Sequence, residues 1–154
     1  MALLHNRVSR KELKQRLLQD PTPRTTISFY RYVPIQDPRT FRDQWFSALS
    51  SLGVLGRIYV ATEGVNAQIS VPTAQLEALR QYLDSCPGFG SLRLNIAVDD
   101  DGKSFFVLDI KVRSKIVADG ITDPDFDMSR KGRYLDAASF NRLAADPGTI
   151  LIDM

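Results

Sequence analysis

A single cysteine, Cys86, and a single histidine, His5, are the first shortages that bound this 154-residue chain. One thiol excludes an intrachain disulfide and leaves a cysteine-based metal site without ligands, which fits a reducing cytoplasm. His5 sits alone near the N-terminus with no partner residues at metal-ligand spacing, so it reads as a surface residue and no metal is expected. Long apolar runs are also missing. No segment reaches the ~18 apolar residues of a membrane span. The opening "MALLHNRVSRKELKQRLL" has no apolar core followed by a small-residue cleavage site. We therefore expect a soluble, unprocessed, cytoplasmic protein with no membrane partner. Charge of one sign is scarce as well: 20 Lys and Arg against 18 Asp and Glu give +2. That balance permits an anionic partner but is far from a dedicated nucleic-acid tail. Internal repeats, low-complexity tracts, a P-loop and a Ser-His-Asp set are all absent.

What remains is ordinary globular composition, 44% hydrophobic and 25% charged, enough for one compact domain. Ser9 and Glu12 have capping-box spacing, and Leu13 with Leu17 forms a stripe, so residues 9–19 are expected to be a short helix stopped by Pro21 and Pro23. From Arg24 the period becomes two. Ile27, Phe29 and Val33 alternate with Ser28, Tyr30 and Tyr32, with Arg31 the one polar residue in the apolar register. Asp37-Pro38 starts a helix whose Phe41, Trp45, Ala48, Leu49 and Leu52 share a face up to Gly53.

Residues 57–61 and 66–71 read as two strands joined at "TEGV", a hairpin. A second helix follows, with Leu76, Leu79 and Leu83 inward, and "CPGFG" closes it. In "LRLNIAVDD" Leu92, Leu94, Ile96 and Val98 alternate with Arg93, Asn95, Ala97 and Asp99, a fourth strand. The order strand-helix-strand-strand-helix-strand is ferredoxin-like, in the α+β class. "SFFVLDIKVRSKIVADG" reads as an extra fifth strand, with Phe106, Leu108, Ile110 and Val112 on one side. Residues 119–133 are Asp-rich and aperiodic, a linker. Residues 134–154 then supply a helix and a strand, Ile150-Leu151-Ile152, that begin a second domain. The expected divisions are thus 1–23, 24–118, 119–133 and 134–154.

Two helices cover only one face of such a sheet. The other face presents Ser28, Tyr30, Tyr32, Arg57, Tyr59, Asn66, Gln68, Ser70, Arg93 and Asn95. Aromatics, amides and arginines in that mixture can stack on bases and hydrogen-bond their edges; a solvated face, or one covered by a second domain, would look the same. Lys111, Arg113 and Lys115 place three cations on one side of one strand, as phosphate tracking needs. An edge strand charged against aggregation would do likewise. Lys103, Arg130, Lys131 and Arg133 would extend the basic area if the linker folds back. In "TEGVNAQ" Gly64 supplies positive φ, while Glu63 and Asn66 flank it with groups suited to capping the turn or binding a ligand. Cys86, before Pro87 on a helix with an apolar face, reads as a packed thiol. An acylphosphatase-like hydrolase shares the strand order and uses an Arg and an Asn. It also needs a Gly-rich anion loop after the first strand, and "YRYVPIQDP" has none.

The stretches "RTTISFYRYVPI", "ATEGVNAQISVP", "LRLNIAVDDDGKSFFVLDIKVRSKIVADGI" and "GTILIDM", in that order and spacing, resemble the N-terminal part of the YceA-like rhodanese-domain (TrhO) family. The similarity covers essentially the whole chain. Ala61, Glu63, Gly64, Val65 and Asn66 meet the family pattern Ala-x-Glu-Gly-(Val/Ile)-Asn. The resemblance implies an oxygen-dependent enzyme that hydroxylates the wobble uridine of tRNA to 5-hydroxyuridine. Molecular oxygen would be its co-substrate, with any further cofactor unknown. It further implies that residues 134–154 begin a rhodanese domain whose functional cysteine lies beyond Met154, and which Cys86 does not match. This chain alone would be inactive, with tRNA and its own rhodanese domain as partners. The expected tRNA-holding residues are Lys111, Arg113 and Lys115 on phosphates and Tyr30, Tyr32 or Tyr59 near bases, and Arg57 and Arg93 complete the set. A scaffold docking a rhodanese sulfurtransferase domain is the rival role.

Overall fold

Asp37 shows how locally this chain is specified: its carboxylate accepts hydrogen bonds from the Arg39 and Thr40 amides at 3.0 and 3.1 Å, with Pro38 opening the helix behind it. Cap, then first-turn proline, is the order that satisfies orphan amides and presets φ. The computed structural model describes residues 8–98, 100–117, 120–123 and 132–153; His5, Asp99, Arg130, Lys131 and most of the expected linker lie outside them. The chain divides after Gly120 into two units.

In the first unit, α1 (Arg10–Gln19) is capped by Ser9, whose side chain accepts from the Glu12 amide. There follow β1 (Arg24–Tyr32), α2 (Pro38–Ser51), β2 (Leu55–Ala61), β3 (Gly64–Pro72), α3 (Leu76–Ser85), β4 (Asn95–Ile96) and β5 (Leu108–Val112). The sheet order is β4-β1-β3-β2-β5. The first four strands are antiparallel in ferredoxin-like arrangement, and β5 adds parallel to β2. Trp45 and Leu49 of α2 and Leu79 and Leu83 of α3 share one core with Ile27, Phe29, Ile58, Val60, Ala67 and Ile69. Both helices therefore lie on one sheet face. Trp45 is the hub, its ring 4.7 Å from Phe41 and 5.0 Å from Phe89 between centroids. Emptying a site so filled typically costs about 3–5 kcal/mol. Arg31, in the apolar register, turns its guanidinium onto the carbonyls of Gly88 (2.7 Å) and Gly90 (3.2 Å) and so ties down the turn after α3.

Two strands are shorter than their alternation predicts. Only Asn95 and Ile96 of "LRLNIAVDD" pair, opposite Ser28 and Ile27, and Ile96 and Val98 are 48% and 84% exposed rather than inward. An edge strand has a neighbour on one side only. Asp100 then draws the chain away, accepting from Thr26 and from the amide of Gly102. The fifth strand covers 108–112 instead of 104–120, and four residues past its end Glu63 captures the Ile116 amide at 2.8 Å.

In the second unit, α4 (Ala137–Ala144) is capped by Asp136, which accepts from the Ser139 amide at 2.7 Å. The strand expected at Ile150-Leu151-Ile152 is not formed, and all three residues are largely exposed. A strand needs a hydrogen-bonding neighbour, and among the described residues of this unit there is no other strand to supply one.

Candidate functional site

The face of the sheet turned away from the helices is organised in rows, because directly paired residues point the same way. Ser28 pairs with both Asn95 and Gln68, Gln68 with Arg57, and Arg57 with Asp109. The next row runs Tyr30, Asn66, Tyr59, Lys111. Strands lie about 4.8 Å apart, and rows about 6.7 Å apart along them. Tyr32 sits at the end of β1, with its ring edge-on to Tyr30 at 6.1 Å. Tyr30 is 51% exposed.

The opposite end of the face is closed. Ser70 is fully buried although it points away from the core. Arg24 covers it, donating to Ser70 Oγ (2.9 Å), Ser70 O (2.8 Å) and Gly53 O (2.7 Å), while Ser70 Oγ donates to Gly102 O at 2.6 Å. Burial lowers the pKa of Arg24, opposed by Asp20. Lys103 belongs to this closed end, its Nζ donating to Leu18 O at 3.3 Å, so it does not enlarge the basic area around Arg113.

The three expected cations separate. Lys111 pairs with Asp109 two residues earlier at 2.9 Å, a half-exposed contact of small energetic worth. Arg113 follows β5, its amide on Val60 O at 2.8 Å and its guanidinium 5.4 Å from the centroid of the Tyr59 ring. Lys115 lies beyond the strand, half-buried, so the stripe of three on one strand is not formed. Arg93 is exposed but precedes β4, so it joins no row of the sheet. Arg57 stands in the middle of the face as expected, exposed beside Gln68. Sequence reading places Gln68 on this face without singling it out; only the strand register shows that it is the central polar residue.

The signature turn is engaged internally. Thr62 and Glu63 carbonyls accept from the amides of Ile35 and Val33, both at 2.9 Å. The Glu63 carboxylate accepts from the Ile116 amide at 2.8 Å, and Asn66 Nδ2 donates to the Ile116 carbonyl at 3.2 Å. Glu63 and Asn66 thus grip both polar groups of one residue 50 or more positions away. Gly64 has φ +148°, and a Cβ there would fall 1.9 Å from Arg31 O. Close approach of the hairpin to β1 requires glycine.

Cys86 is half-buried, and burial raises its thiol pKa, unlike an activated nucleophile. A cavity of about 90 Å³ between α3 and residues 91–94, lined by Arg80, Leu83, Asp84, Ser91, Leu92 and Leu94, is well below the roughly 300–1,000 Å³ of small-molecule sites. Among the described residues no group of three or more His, Cys, Asp or Glu is placed to hold a metal ion, and no helix is long and apolar enough to cross a membrane.

Comparison with known proteins places this geometry. The model of the UPF0176 acylphosphatase-like domain matches residues 24–116, which span β1 to just past β5. The chain is 56% identical to the tRNA uridine(34) hydroxylase of Escherichia fergusonii, 54% to that of Pectobacterium carotovorum and 55% to that of Citrobacter koseri. Each alignment takes in 100% of this chain and 44% of the relative, so the chain spans less than half the length of the curated relatives it matches. The match over β1 to β5 and the likeness along the whole chain agree: the protein belongs to the UPF0176 family, and residues 24–116 are its acylphosphatase-like domain.

Proposed function

We propose that this chain is the tRNA-holding, N-terminal part of an enzyme that hydroxylates the wobble uridine of tRNA to 5-hydroxyuridine with molecular oxygen. Residues 134–154 begin its rhodanese domain, which supplies the functional cysteine, and the protein works in the cytoplasm. Support for the activity comes from relatives named tRNA uridine(34) hydroxylase that align with the whole chain. The observation that carries the RNA-holding role is the open sheet face, where Tyr30 and Tyr59 flank Asn66 in one row and Arg57 and Gln68 lie side by side in the next. Aromatic rings offer stacking platforms for unpaired bases, and cations at the rim, Arg113, Lys111 and Lys115, serve the phosphates.

Acylphosphatase-type hydrolysis is disfavoured by the loop after β1. An anion cradle needs free backbone amides. Those of Val33 and Ile35 are already donated to Glu63 and Thr62.

The test is binding of a fluorescently labelled anticodon stem-loop over a series of KCl concentrations. Replacing Lys111, Arg113 and Lys115 together by Ala weakens binding and flattens the salt slope by about 2, at roughly 0.7 per single-strand phosphate contact. Unchanged affinity and slope overturn the reading. Docking of a rhodanese domain on the same face is separated by hydrogen exchange of β2 and β3 in the full-length enzyme. Protection that tRNA does not increase favours docking.

A further inference from the structure

The chain that follows β5 turns onto the open side of the sheet. Arg113 donates its amide to Val60 O at 2.8 Å, just past the last register pair of β5. Three residues later Asn66, which belongs to the open face, donates to the Ile116 carbonyl at 3.2 Å, and Glu63 accepts from the Ile116 amide at 2.8 Å. The Ile116 side chain is buried, yet it stands outside the cluster that α2 and α3 form with the sheet. The backbone is thus anchored at both ends of 113–116. Alternation carries Arg113 to the side of Lys111, and Lys111 lies opposite Tyr59 in register, so Arg113 is the diagonal neighbour of Tyr59. Its guanidinium lies over that ring, 5.4 Å from the centroid, inside the roughly 6 Å at which a ring face attracts a cation. Lys111 has Asp109 as its anion. Among the described residues the Arg113 side chain makes no hydrogen bond and no ion pair.

We propose that Tyr59 is a positioning residue for Arg113 and not a stacking platform: its ring holds the guanidinium as an oriented fork for one RNA phosphate, and Tyr30 carries the base stacking. The proposal rests on the reading of this face as an RNA surface. A guanidinium has five N–H donors in its own plane and no acceptor. Contact with an aromatic ring engages the cation without using a donor, so all five stay available for a bidentate phosphate. Anchoring the backbone at Val60 and at Ile116, and the side chain at Tyr59, sets the fork before RNA arrives, which lowers the ordering that binding must impose. The same contact removes Tyr59 as a platform, because a base cannot stack on the ring face that the cation covers. Tyr59 is half-buried, whereas Tyr30 is 51% exposed.

The experiment is fluorescence anisotropy with the intact chain and two labelled strands, heptauridylate and a heptamer of the same ribose-phosphate backbone without bases. Tyr59→Leu should weaken both by the same factor, about two- to fivefold, which is what an exposed cation–π contact supplies. Tyr30→Leu should weaken the base-bearing strand alone. Arg113→Lys keeps the charge and loses the planar fork; it should weaken both strands alike at an unchanged salt slope, and adding Tyr59→Leu to it should change nothing further. Arg113→Ala should lower the slope by about 0.7. Tyr59→Phe keeps the ring and should bind as the wild type does. A Tyr59→Leu penalty confined to the base-bearing strand, or one that persists in full beside Arg113→Lys, overturns the inference and leaves the RNA surface standing. So does a wild type that ignores the strand without bases. Arg113 is exposed, so Arg113→Lys decides even if Tyr59→Leu fails to fold: binding of both strands as tight as the wild type's overturns the inference. A wild type that binds neither strand overturns both.

Discussion

Replacing Glu63 by Ala removes one acceptor, and the structure indicates what that should do. The Glu63 carboxylate takes the Ile116 amide at 2.8 Å, and the Ile116 side chain is buried at 2% exposure. A hydrogen bond to a charged group contributes about 1.5–3 kcal/mol. Glu63 is half-buried, so about 2 kcal/mol is the expected loss. Asn66 to the Ile116 carbonyl, a neutral bond at 3.2 Å, contributes about 1 kcal/mol. The two are not independent, because either loss begins to free the same residue. The double variant should therefore lose less than the sum, about 2.5 rather than 3 kcal/mol. With a urea slope of roughly 2 kcal/mol/M, Glu63→Ala moves the unfolding midpoint down by about 1 M. Glu63→Gln keeps an oxygen acceptor without the charge and should lose about half as much. Hydrogen exchange at the Ile116 amide is the local readout and should accelerate in both. An Ile116 amide as protected as in the wild type, with the midpoint shifted by less than about 0.2 M, would refute the grip. A ligand role for the turn would instead show weakened RNA binding at unchanged stability.

Gly64→Ala should destabilise the protein by at least about 2 kcal/mol, from a disfavoured φ and a Cβ placed against Arg31 O. Gly90→Ala, where a Cβ meets nothing within 4 Å, is neutral or slightly stabilising; thermal melts that rank the two equally would contradict the hairpin geometry. Asp37 titrates below its ordinary value because Thr40, through hydroxyl and amide, and Arg39 hydrogen-bond its charged form. The folded group thus gives up its proton more readily than the unfolded one. Its stabilisation is complete above about pH 4 and fades as the pH falls through the lower folded value. Asp37→Asn keeps a capping oxygen but does not titrate. The stability difference between wild type and variant, followed by urea unfolding, should be flat above about pH 4 and change only below it; a difference constant down to pH 2 would sink the assignment.

Faces were legible in the sequence and partners were not. Period two in residues 24–33 and 57–71 assigns the core residues Ile27, Phe29, Ile58, Val60, Ala67, Ile69 and Val71 correctly, because alternation records which side of a strand is dry. The same rule overextends "LRLNIAVDD" and "SFFVLDIKVRSK". Alternation does not reveal whether a neighbouring strand is there, and both stretches form edges. The Ile150-Leu151-Ile152 strand fails for that reason too. At the candidate site, periodicity puts Arg57, Tyr59, Tyr30 and Gln68 on one face, but only the register makes Arg57 and Gln68 neighbours. The contact of Glu63 with Ile116 spans 53 residues, and local pattern carries no trace of such a distance.

That distinction bears on how a binding surface should be read. A side chain can contribute to a ligand only what it has not already given to its own fold, since exchanging one satisfied hydrogen bond for another gains little. The most recognisable motif of this chain, Glu63 to Asn66, has given nearly everything away. Its two side chains hold Ile116, the Glu63 carbonyl holds Val33, and the carbonyl of Thr62 just before it holds Ile35. Lys111, chosen for its charge, has an anion 2.9 Å away. Among the described residues, the side chains of the inconspicuous Gln68 and of Arg57 beside it have no hydrogen-bond or ion-pair partner. If the face binds RNA, affinity should therefore depend on Arg57 and Gln68, while variants of the motif turn alter stability before they alter recognition.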